Sequence, residues 1–192
     1  MKFKVSILYG SVREKRLGIR AVKFIDNLLQ ERGHLTHILD PMEIELPLLN
    51  KMYKEYEAGS APASMQHIAD ALNDSDGFII VTGEYNHSIP PALKNMLDHF
   101  QKEYFFKPSA IAAYSAGQYG GMRAAVHLRA ILGELGTPSI SSIVGYPKVQ
   151  KIFDEEGKPL EEYYIKATNK FLDELEWYME ALKAQREKGT PY

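Results

Sequence analysis

The sequence predicts an α/β fold in which a parallel sheet of five strands carries helices on both faces, a doubly wound sandwich. Short apolar runs rich in β-branched residues alternate with segments whose apolar residues recur at helical spacing. This alternation repeats along the whole chain, without an internal repeat or a linker. The chain has 192 residues, against about 150 for an average domain, so residues 1–192 are expected to form one domain.

The spacing of apolar residues changes near Leu17 from that of a strand to that of a helix. Residues 3–9 form a short apolar run that stops at a glycine, which is typical of a buried strand. From Leu17 the apolar residues recur every three or four positions, and Gly33 ends the helix because glycine readily adopts the left-handed backbone found there. Residues 34–39 are interpreted as a second strand, weakened by its histidines.

The middle of the chain starts with a long irregular segment, residues 41–62, which is a candidate functional or packing loop. Ser64 is a suitable N-cap for the helix that follows it. Residues 78–82 are continuously apolar, apart from a threonine, as expected for a strand buried on both faces. The pair Pro90-Pro91 opens the next helix, where a fixed φ and a missing N–H do no harm.

The last part of the chain supplies two more strands and two more helices. Residues 110–114 and 140–144 are apolar runs of strand length, and a helical stripe from Met122 to Leu135 separates them. The final helix carries an apolar stripe from Ile165 to Leu182, which is predicted to face the core together with Trp177.

Three loops are the predicted functional region. An open parallel sheet binds ligands beyond the carboxyl ends of its strands, at the point where the strand order reverses. The loops that follow the first, third and fourth strands there are residues 10–18, 83–91 and 115–121.

The first of these loops, with the sequence GSVREKRLG, has the composition of an anion site. Its hydroxyl, its arginines and the free N–H groups of the next helix would meet at one point, and Arg13 or Arg16 can hold two phosphate oxygens at once. The alternative is that Ser11 only caps the helix and that the basic side chains are solvated. The loop matches neither the G-x-G-x-x-G dinucleotide motif nor the Walker A motif.

The other two loops suit a flat ligand. The second loop places the tetrad Glu84-Tyr85-Asn86-His87 before two prolines that stiffen it, so its main chain can offer polar groups to a ring. Its alternative interpretation is an ordinary asparagine turn with a surface tyrosine. The third loop, residues 115–121, is rich in glycine, which permits close approach of the backbone to a ligand. Its alternative interpretation is a mobile turn before a helix.

The composition argues against several classes of protein. A net charge of -2 gives no overall attraction to nucleic acid or to an anionic membrane. The absence of cysteine removes disulfides, thiolate metal sites and a cysteine nucleophile.

His87 and His99 lie on different elements with no carboxylate to complete a site, so no metal is expected. Because the apolar start of the chain is interpreted as a strand rather than a leader peptide, and no apolar run approaches the roughly 20 residues of a membrane span, we expect a soluble, cytoplasmic protein.

At its three loops the sequence resembles the NADPH-dependent FMN reductase family, the flavodoxin-like group that includes quinone, azo-dye and chromate reductases. Residues 10–18 resemble the family's G-S-x-R phosphate segment, and residues 83–98 match its pattern P-x-Y-N-x-S-x-P-x-x-L-K-N-x-x-D except at the first position. Residues 115–121 resemble its third flavin loop. Gly83 is a departure, since it stands where the family usually has proline. The resemblance covers roughly residues 3–145.

The resemblance implies a flavodoxin-like sandwich with strand order 2-1-3-4-5 and a bound FMN. It assigns the FMN phosphate to the first loop, the isoalloxazine ring to the second and the pyrimidine edge of that ring to the third. The implied cofactor-binding residues are, loop by loop, Ser11, Arg13, Arg16, Leu17 and Gly18, then Glu84, Tyr85, Asn86 and His87, and finally Ser115, Gly117, Gly120 and Gly121.

The implied activity is electron transfer from NADPH or NADH, through FMN, to a small acceptor such as a quinone, an azo dye, a free flavin or an oxyanion. Because the cofactor carries this chemistry, no catalytic side chain is expected. The sequence does not choose between the two nicotinamides, and Lys51, Lys54 and Arg123 are candidate contacts for a 2′-phosphate. The family also implies a homodimer or homotetramer, for which the aromatic run of Phe100, Tyr104, Phe105 and Phe106 offers contact surface. The alternative for residues 104–106 is that they pack against the sheet in the core.

The main alternative is a flavodoxin-type electron carrier, which binds FMN without a nicotinamide site of its own. Such carriers are usually strongly acidic and hold the phosphate with hydroxyl-rich loops, whereas this chain has a net charge of -2 and Arg13 in its first loop. A phosphatase of similar architecture would need a cysteine nucleophile, and this chain has no cysteine.

Overall fold

The computed structural model describes residues 1–192, and its centre is a parallel five-stranded sheet. The strand order is 2-1-3-4-5, as predicted. The strands are β1 Lys4–Tyr9, β2 Leu35–Leu39, β3 Gly77–Gly83, β4 Ser109–Tyr114 and β5 Ser139–Tyr146. Every residue of β3 is buried, because strands flank it on both sides and helices cover both faces.

Helices connect the strands and cover the sheet. They are α1 Ile19–Glu31, α2 Ala63–Asp74, α3 Pro91–Asp98, α4 Met122–Glu134, α5 Val149–Ile152 and α6 Glu162–Arg186. Short 3-10 turns lie at Tyr53–Glu55 and Lys102–Tyr104. No helix combines the length and the apolar character that a bilayer crossing requires.

The sheet separates two apolar cores. Along β3, Ile79 and Val81 belong to the core with α1 and α6, whereas Phe78 and Ile80 belong to the core with α2, α3 and α4. Successive side chains of a strand point to opposite faces, so a strand between two cores needs apolar residues at every position. This is the physical reason for the continuous apolar run that predicted β3.

Two helix starts differ from the sequence prediction. Helix α2 begins at Ala63, and the first hydrogen bond of its ladder runs from the Gln66 N–H to the Pro62 C=O at 2.9 Å. Ser64 therefore lies inside the first turn and the prediction that it caps the helix was wrong. Helix α1 begins at Ile19, so Leu17 belongs to the preceding loop.

Two features near the C-terminus also differ. Helix α5 has four residues, too few for a recognisable apolar period, and the sequence did not predict it. Trp177 is 66% exposed, so its predicted place in the core was wrong. It lies two residues from the buried Leu175 and Met179, which is about 200° around an α-helix from either of them.

The three predicted loops meet at the carboxyl edge of the sheet. We call residues 10–18 loop 1, residues 84–90 loop 2 and residues 115–121 loop 3; they follow β1, β3 and β4. Because β1, β3 and β4 are neighbours in the sheet, their carboxyl ends bring these loops together, while the connection after β2 lies to one side.

Candidate functional site

Loops 1, 2 and 3 border a cleft of about 170 Å³ at this edge. Its lining residues are Ser11, Arg13, Lys15, Arg16, Leu17, Gly83, Glu84, Tyr85, Tyr114, Ser115, Ala116 and Val149. Asn86 lies on a shallow depression shared with Arg13 and Tyr85. The structure thus brings most of the predicted residues to one place. Gly18, His87 and the three glycines of loop 3 lie outside the lining itself.

Loop 1 presents positive charge and unused main-chain donors to the cleft. Arg13 and Lys15 form no ion pair and no side-chain hydrogen bond. Seven N–H groups of this loop donate to no protein acceptor, namely those of Ser11, Val12, Glu14, Lys15, Arg16, Leu17 and Gly18. Two free cations beside a helix N-terminus with unused donors form an arrangement that favours an anion.

Ser11 belongs to the cleft rather than to the helix. Helix α1 has Gly18 at its N-cap and no side-chain cap, so the alternative of a capping serine is wrong. The Ser11 Oγ instead lies 3.0 Å from the Tyr85 Oη, and it accepts a hydrogen bond from the Arg13 N–H at 3.4 Å. This hydroxyl pair joins loop 1 to loop 2.

Arg16 has a different environment from Arg13. Its guanidinium is ion-paired with Asp40, directly after β2, and donates to the Ser11 C=O at 3.1 Å. It also lies over the ring of Tyr9, with 5.2 Å from Cζ to the ring centroid. Burial by itself lowers the pKa of Arg16, but the hydrogen bond and charge of Asp40 reverse this and raise it. Arg16 therefore anchors loop 1 to the sheet while it lines the cleft.

Loop 2 contains a tight turn at residues 85–88. The Tyr85 N–H donates to the Ser88 C=O at 2.9 Å, and the Ser88 N–H donates to the Tyr85 C=O at 3.0 Å. The central residues are left-handed, Asn86 with φ 50° and His87 with φ 69°, which is the pattern of a type I′ turn. Asparagine tolerates this backbone well, whereas histidine adopts it at a cost of roughly 1 kcal/mol. Both side chains are exposed at the tip of the turn.

Glu84 connects loop 2 to helix α4. Its side chain is 7% exposed, and its carboxylate accepts hydrogen bonds from the Arg123 Nε at 2.7 Å and from the Arg123 N–H at 3.1 Å. Burial raises the pKa of Glu84, but the hydrogen bonds from Arg123 outweigh it and hold the pKa below its ordinary value. Glu84 thus caps the first turn of α4, and Arg123 is not a free cation.

The glycines of loop 3 serve two purposes. Gly120 and Gly121 have φ of 60° and 78°, and a Cβ on Gly121 would lie 2.7 Å from the Tyr114 C=O oxygen, so the path of the chain requires them. A Cβ on Gly117 would meet nothing within 4 Å, so this residue presents open backbone. The Gly117 C=O accepts from the Lys148 N–H at 2.8 Å and from the Ser115 Oγ at 3.0 Å. These bonds tie loop 3 to the segment after β5.

Five lining residues were not among the predicted site residues, namely Lys15, Gly83, Tyr114, Ala116 and Val149. Tyr114 ends an apolar strand and resembled a core residue, and Lys15 was overlooked beside two arginines. Val149 comes from the segment after β5, which no motif marks. Of the other candidate cations, Lys51 lies over the Tyr56 ring and Lys54 donates to the Gln101 side chain. No group of three or more His, Cys, Asp or Glu side chains is arranged to hold a metal ion.

The arrangement suits a phosphorylated ligand with a flat ring. The free cations and unused N–H groups of loop 1 match a phosphate, which is a bidentate partner for arginine and an acceptor for main-chain donors. Loops 2 and 3 both line the cleft, through Tyr85 and Ser115, and can face a ring that is held there. The residues present therefore fit FMN.

Comparison with known proteins gives the same assignment. The sequence model described as NADPH-dependent FMN reductase matches residues 3–151. The chain is 29% identical over 163 residues to a quinone reductase of Pseudomonas putida, a match that covers 81% of this chain and 84% of that protein. It is 30% identical over 135 residues to a quinone reductase of Escherichia coli, with coverage of 68% and 70%.

A solved structure extends the likeness to the whole fold. FerB of Paracoccus denitrificans, described as a flavoenzyme NAD(P)H:(acceptor) oxidoreductase, superposes with a TM-score of 0.77 at 25% identity. The superposition covers 93% of this chain and 98% of FerB. Family match, identity and fold agree with the geometry of the cleft. The chain belongs to the NADPH-dependent FMN reductase family and is an oxidoreductase that uses FMN and NAD(P)H.

Proposed function

We propose that the chain holds FMN in the cleft between loops 1, 2 and 3 and transfers electrons from NAD(P)H to a quinone. The observation that carries the site assignment is the pair of free cations, Arg13 and Lys15, beside unused N–H groups at the start of α1. FMN supplies the chemistry when bound, because it takes a hydride from a nicotinamide and returns electrons to an acceptor.

Loop 1 binds the phosphate in this proposal. Arg13 and Lys15 neutralise its charge, and the N–H groups of Leu17 and Gly18 donate to its oxygens, as at other helix N-termini that bind anions. Ser11 offers its hydroxyl from the floor of the loop. Arg16 acts mainly through its ion pair with Asp40, which holds the loop in place, and directs its remaining donors to the cleft.

Loops 2 and 3 bind the ring. Tyr85, Asn86 and His87 lie on the turn beside it, while Ser115 and the open backbone of Gly117 face its pyrimidine edge. The remaining predicted residues shape these loops without touching the ring. They are Glu84 through its bond to Arg123, Gly120 and Gly121 through their left-handed backbone, and Gly18 through its close packing.

A quinone is the acceptor that we favour among the small acceptors considered. The named relatives in Pseudomonas putida and Escherichia coli are quinone reductases. The cleft is short, so a ring held at its mouth keeps an accessible face on which nicotinamide and quinone can follow one another. Such sharing predicts ping-pong kinetics, in which the oxidised nicotinamide leaves before the quinone binds.

We also propose a homodimer or homotetramer in the cytoplasm, where NAD(P)H is available. The aromatic run predicted for this contact is buried at Phe100 and Tyr104, so it does not offer the expected surface. The outer face of α4, next to loop 3, instead exposes Met122 and Val126. An apolar face of this kind is suited to a two-fold contact between copies. Light scattering should report a particle larger than the 21.8 kDa of one chain. A monomer at micromolar concentration would contradict this part of the proposal.

The activity is tested with FMN-loaded protein. NADPH or NADH oxidation is measured against a water-soluble quinone while each substrate is varied in turn, and the double-reciprocal plots should be parallel. Intersecting lines would contradict the shared face. Rapid reduction of the flavin by NAD(P)H separates the reductase from an electron carrier, since a carrier without a nicotinamide site is not reduced directly. Azo dye, free flavin and oxyanion assayed in parallel test the choice of quinone.

A further inference from the structure

The aromatic ring of Tyr114 lies between loop 1 and the strand end that leads into loop 2. Tyr114 is the last residue of β4, is 8% exposed and lines the cleft. A Cβ on Gly18 would stand 2.1 Å from the Tyr114 Cζ. A Cβ on Gly83 would stand 3.1 Å from the Tyr114 Cζ and Oη. The ring therefore packs directly on the backbone of both segments.

These two glycines are present because of the ring and not because of their own backbone. Gly18 has φ -65°, an ordinary helical value, and Gly83 lies within β3, where its register partner in β4 is Tyr114. Neither has the left-handed backbone that requires glycine at Gly120 and Gly121. The need for glycine at positions 18 and 83 is thus steric, and its source is the Tyr114 side chain.

A third contact holds the ring on the side of Tyr9. The Tyr114 Oη donates to the Tyr9 Oη at 3.4 Å, and the two ring centroids are 6.2 Å apart. Tyr9 is fully buried beneath the Arg16 guanidinium. Burial raises the pKa of both phenols, so both stay neutral and the hydroxyl contact persists. The ring is held on three sides, which makes it a rigid spacer between loop 1 and loop 2.

We propose that Tyr114 is a positioning residue that sets the separation between loop 1 and loop 2. The inference rests on the proposed function, in which loop 1 holds the phosphate of FMN and loop 2 its ring. A ligand that reaches both loops depends on their separation, and a ligand that reaches only one does not. Riboflavin has the ring without the phosphate. The ratio of FMN affinity to riboflavin affinity therefore measures this role.

The first test compares flavin binding by fluorescence quenching in the wild type, Tyr114→Ala and Tyr114→Phe. We expect Tyr114→Ala to weaken FMN binding by about tenfold or more and riboflavin binding by less than about threefold, since preorganisation is lost only for the spanning ligand. Tyr114→Phe keeps the spacer and should stay within about threefold of the wild type for both ligands. Equal losses for both flavins in Tyr114→Ala would show a direct ring contact and overturn the proposal.

The second test asks whether a methyl group at position 83 repairs the loss. In the wild type, Gly83→Ala places a Cβ against the clamped ring and should weaken FMN binding by about threefold. In the Tyr114→Ala background the same substitution fills vacated space and should strengthen it, so the effect changes sign. Gly133→Ala is the matched control, because a Cβ there meets nothing within 4 Å. Additive effects of the two substitutions would contradict the proposal.

The outcomes separate the two levels of inference. Circular dichroism and thermal unfolding establish that each variant is folded, and Gly83→Ala alone still tests the spacer if Tyr114→Ala does not fold. A wild type that binds riboflavin as tightly as FMN would refute the phosphate assignment of loop 1. A wild type that prefers FMN, with an unchanged preference in Tyr114→Ala and in Gly83→Ala, would refute only the role of Tyr114.

Discussion

At the amino edge of the sheet the buried charges are paired, whereas at the carboxyl edge two cations have no protein partner. Asp76, directly before β3, forms ion pairs with Lys183 at 3.0 Å and Arg186 at 3.6 Å. It also accepts a hydrogen bond from the Lys4 N–H at 3.1 Å. Lys107, before β4, donates to the Leu72 C=O at the end of α2 at 2.6 Å.

The two cations at the carboxyl edge are exposed, whereas Asp76 is buried. Arg13 and Lys15 lie beside the start of α1 with no carboxylate or carbonyl opposite them. Charges that serve stability are satisfied within the chain, because an unpaired charge near low-dielectric surroundings costs free energy. Charges that serve a ligand must stay available. The contrast therefore predicts that substitutions at the amino edge change stability and that substitutions of the free cations change FMN affinity.

The largest effect on stability is expected from Asp76→Ala. It leaves Lys183 and Arg186 without their shared carboxylate and the Lys4 N–H without its acceptor, so the free energy of unfolding should fall by about 3 kcal/mol. FMN affinity of the folded protein should not change. Urea unfolding and flavin titration measure the two quantities. Asp173→Ala, which breaks an exposed ion pair with Arg32, is the control and should lower the free energy of unfolding by less than about 1 kcal/mol. A parallel loss of FMN affinity in Asp76→Ala would show that the edges are coupled.

Arg16→Ala should combine both effects, because Arg16 lines the cleft and is also paired. Asp40 would keep a carboxylate with 7% exposure and no cation, which lowers the free energy of unfolding by about 2 kcal/mol. FMN affinity should fall as well, since loop 1 loses its anchor. Adding Asp40→Ala removes the unpaired charge, and the double variant should regain part of the stability but not the affinity. If the single variant kept full stability, the anchoring role would be refuted.

Arg13→Ala should affect only affinity. It removes a charge-assisted contact worth on the order of 1.5–3 kcal/mol, so FMN binding should weaken roughly ten- to a hundredfold. Riboflavin binding should change much less, and the unfolding midpoint of the flavin-free protein should not move. Lys2→Ala, an exposed cation distant from the cleft, serves as the control. Equal losses for FMN and riboflavin would mean that Arg13 acts through the fold.

The smallest effect is expected from Glu84→Gln, which tests the charges that frame the site. The pKa of Glu84 lies below its ordinary value of 4.5, so its ion pair with Arg123 stabilises the folded chain above that pH and is lost as the pH falls through the lowered pKa. Near neutral pH the free energy of unfolding of the variant should be lower by about 1 kcal/mol. The loss is small because Arg123 is partly exposed. The difference from the wild type should shrink toward zero in acid. A difference that is the same at all pH values would contradict the ion pair as its source.

Much of the fold follows from local patterns along the chain. The uninterrupted apolar runs of β3 and β4 predicted central strands, and the glycines and prolines between elements predicted their ends, because backbone and burial preferences act over a few residues. The patterns failed where tertiary contacts decide. Trp177 continues a helical run yet faces away from the core, and Ser64 is a good cap that the chain does not use, because Pro62 already occupies the N-cap position.

For the candidate site, the sequence by itself predicted which loops border the cleft, since parallel strands place their carboxyl ends at one edge and the motif residues follow those strands. Only the tertiary structure decided which charges are free. Arg13 and Arg16 are three positions apart in one loop, yet Asp40, directly after β2, forms an ion pair with Arg16 and none with Arg13. Likewise, Tyr114 and the glycines at 18 and 83 are distant in sequence and touch in space. Such pairings depend on the distances between strands and loops in the folded chain. A local pattern of residue types carries no information about these distances.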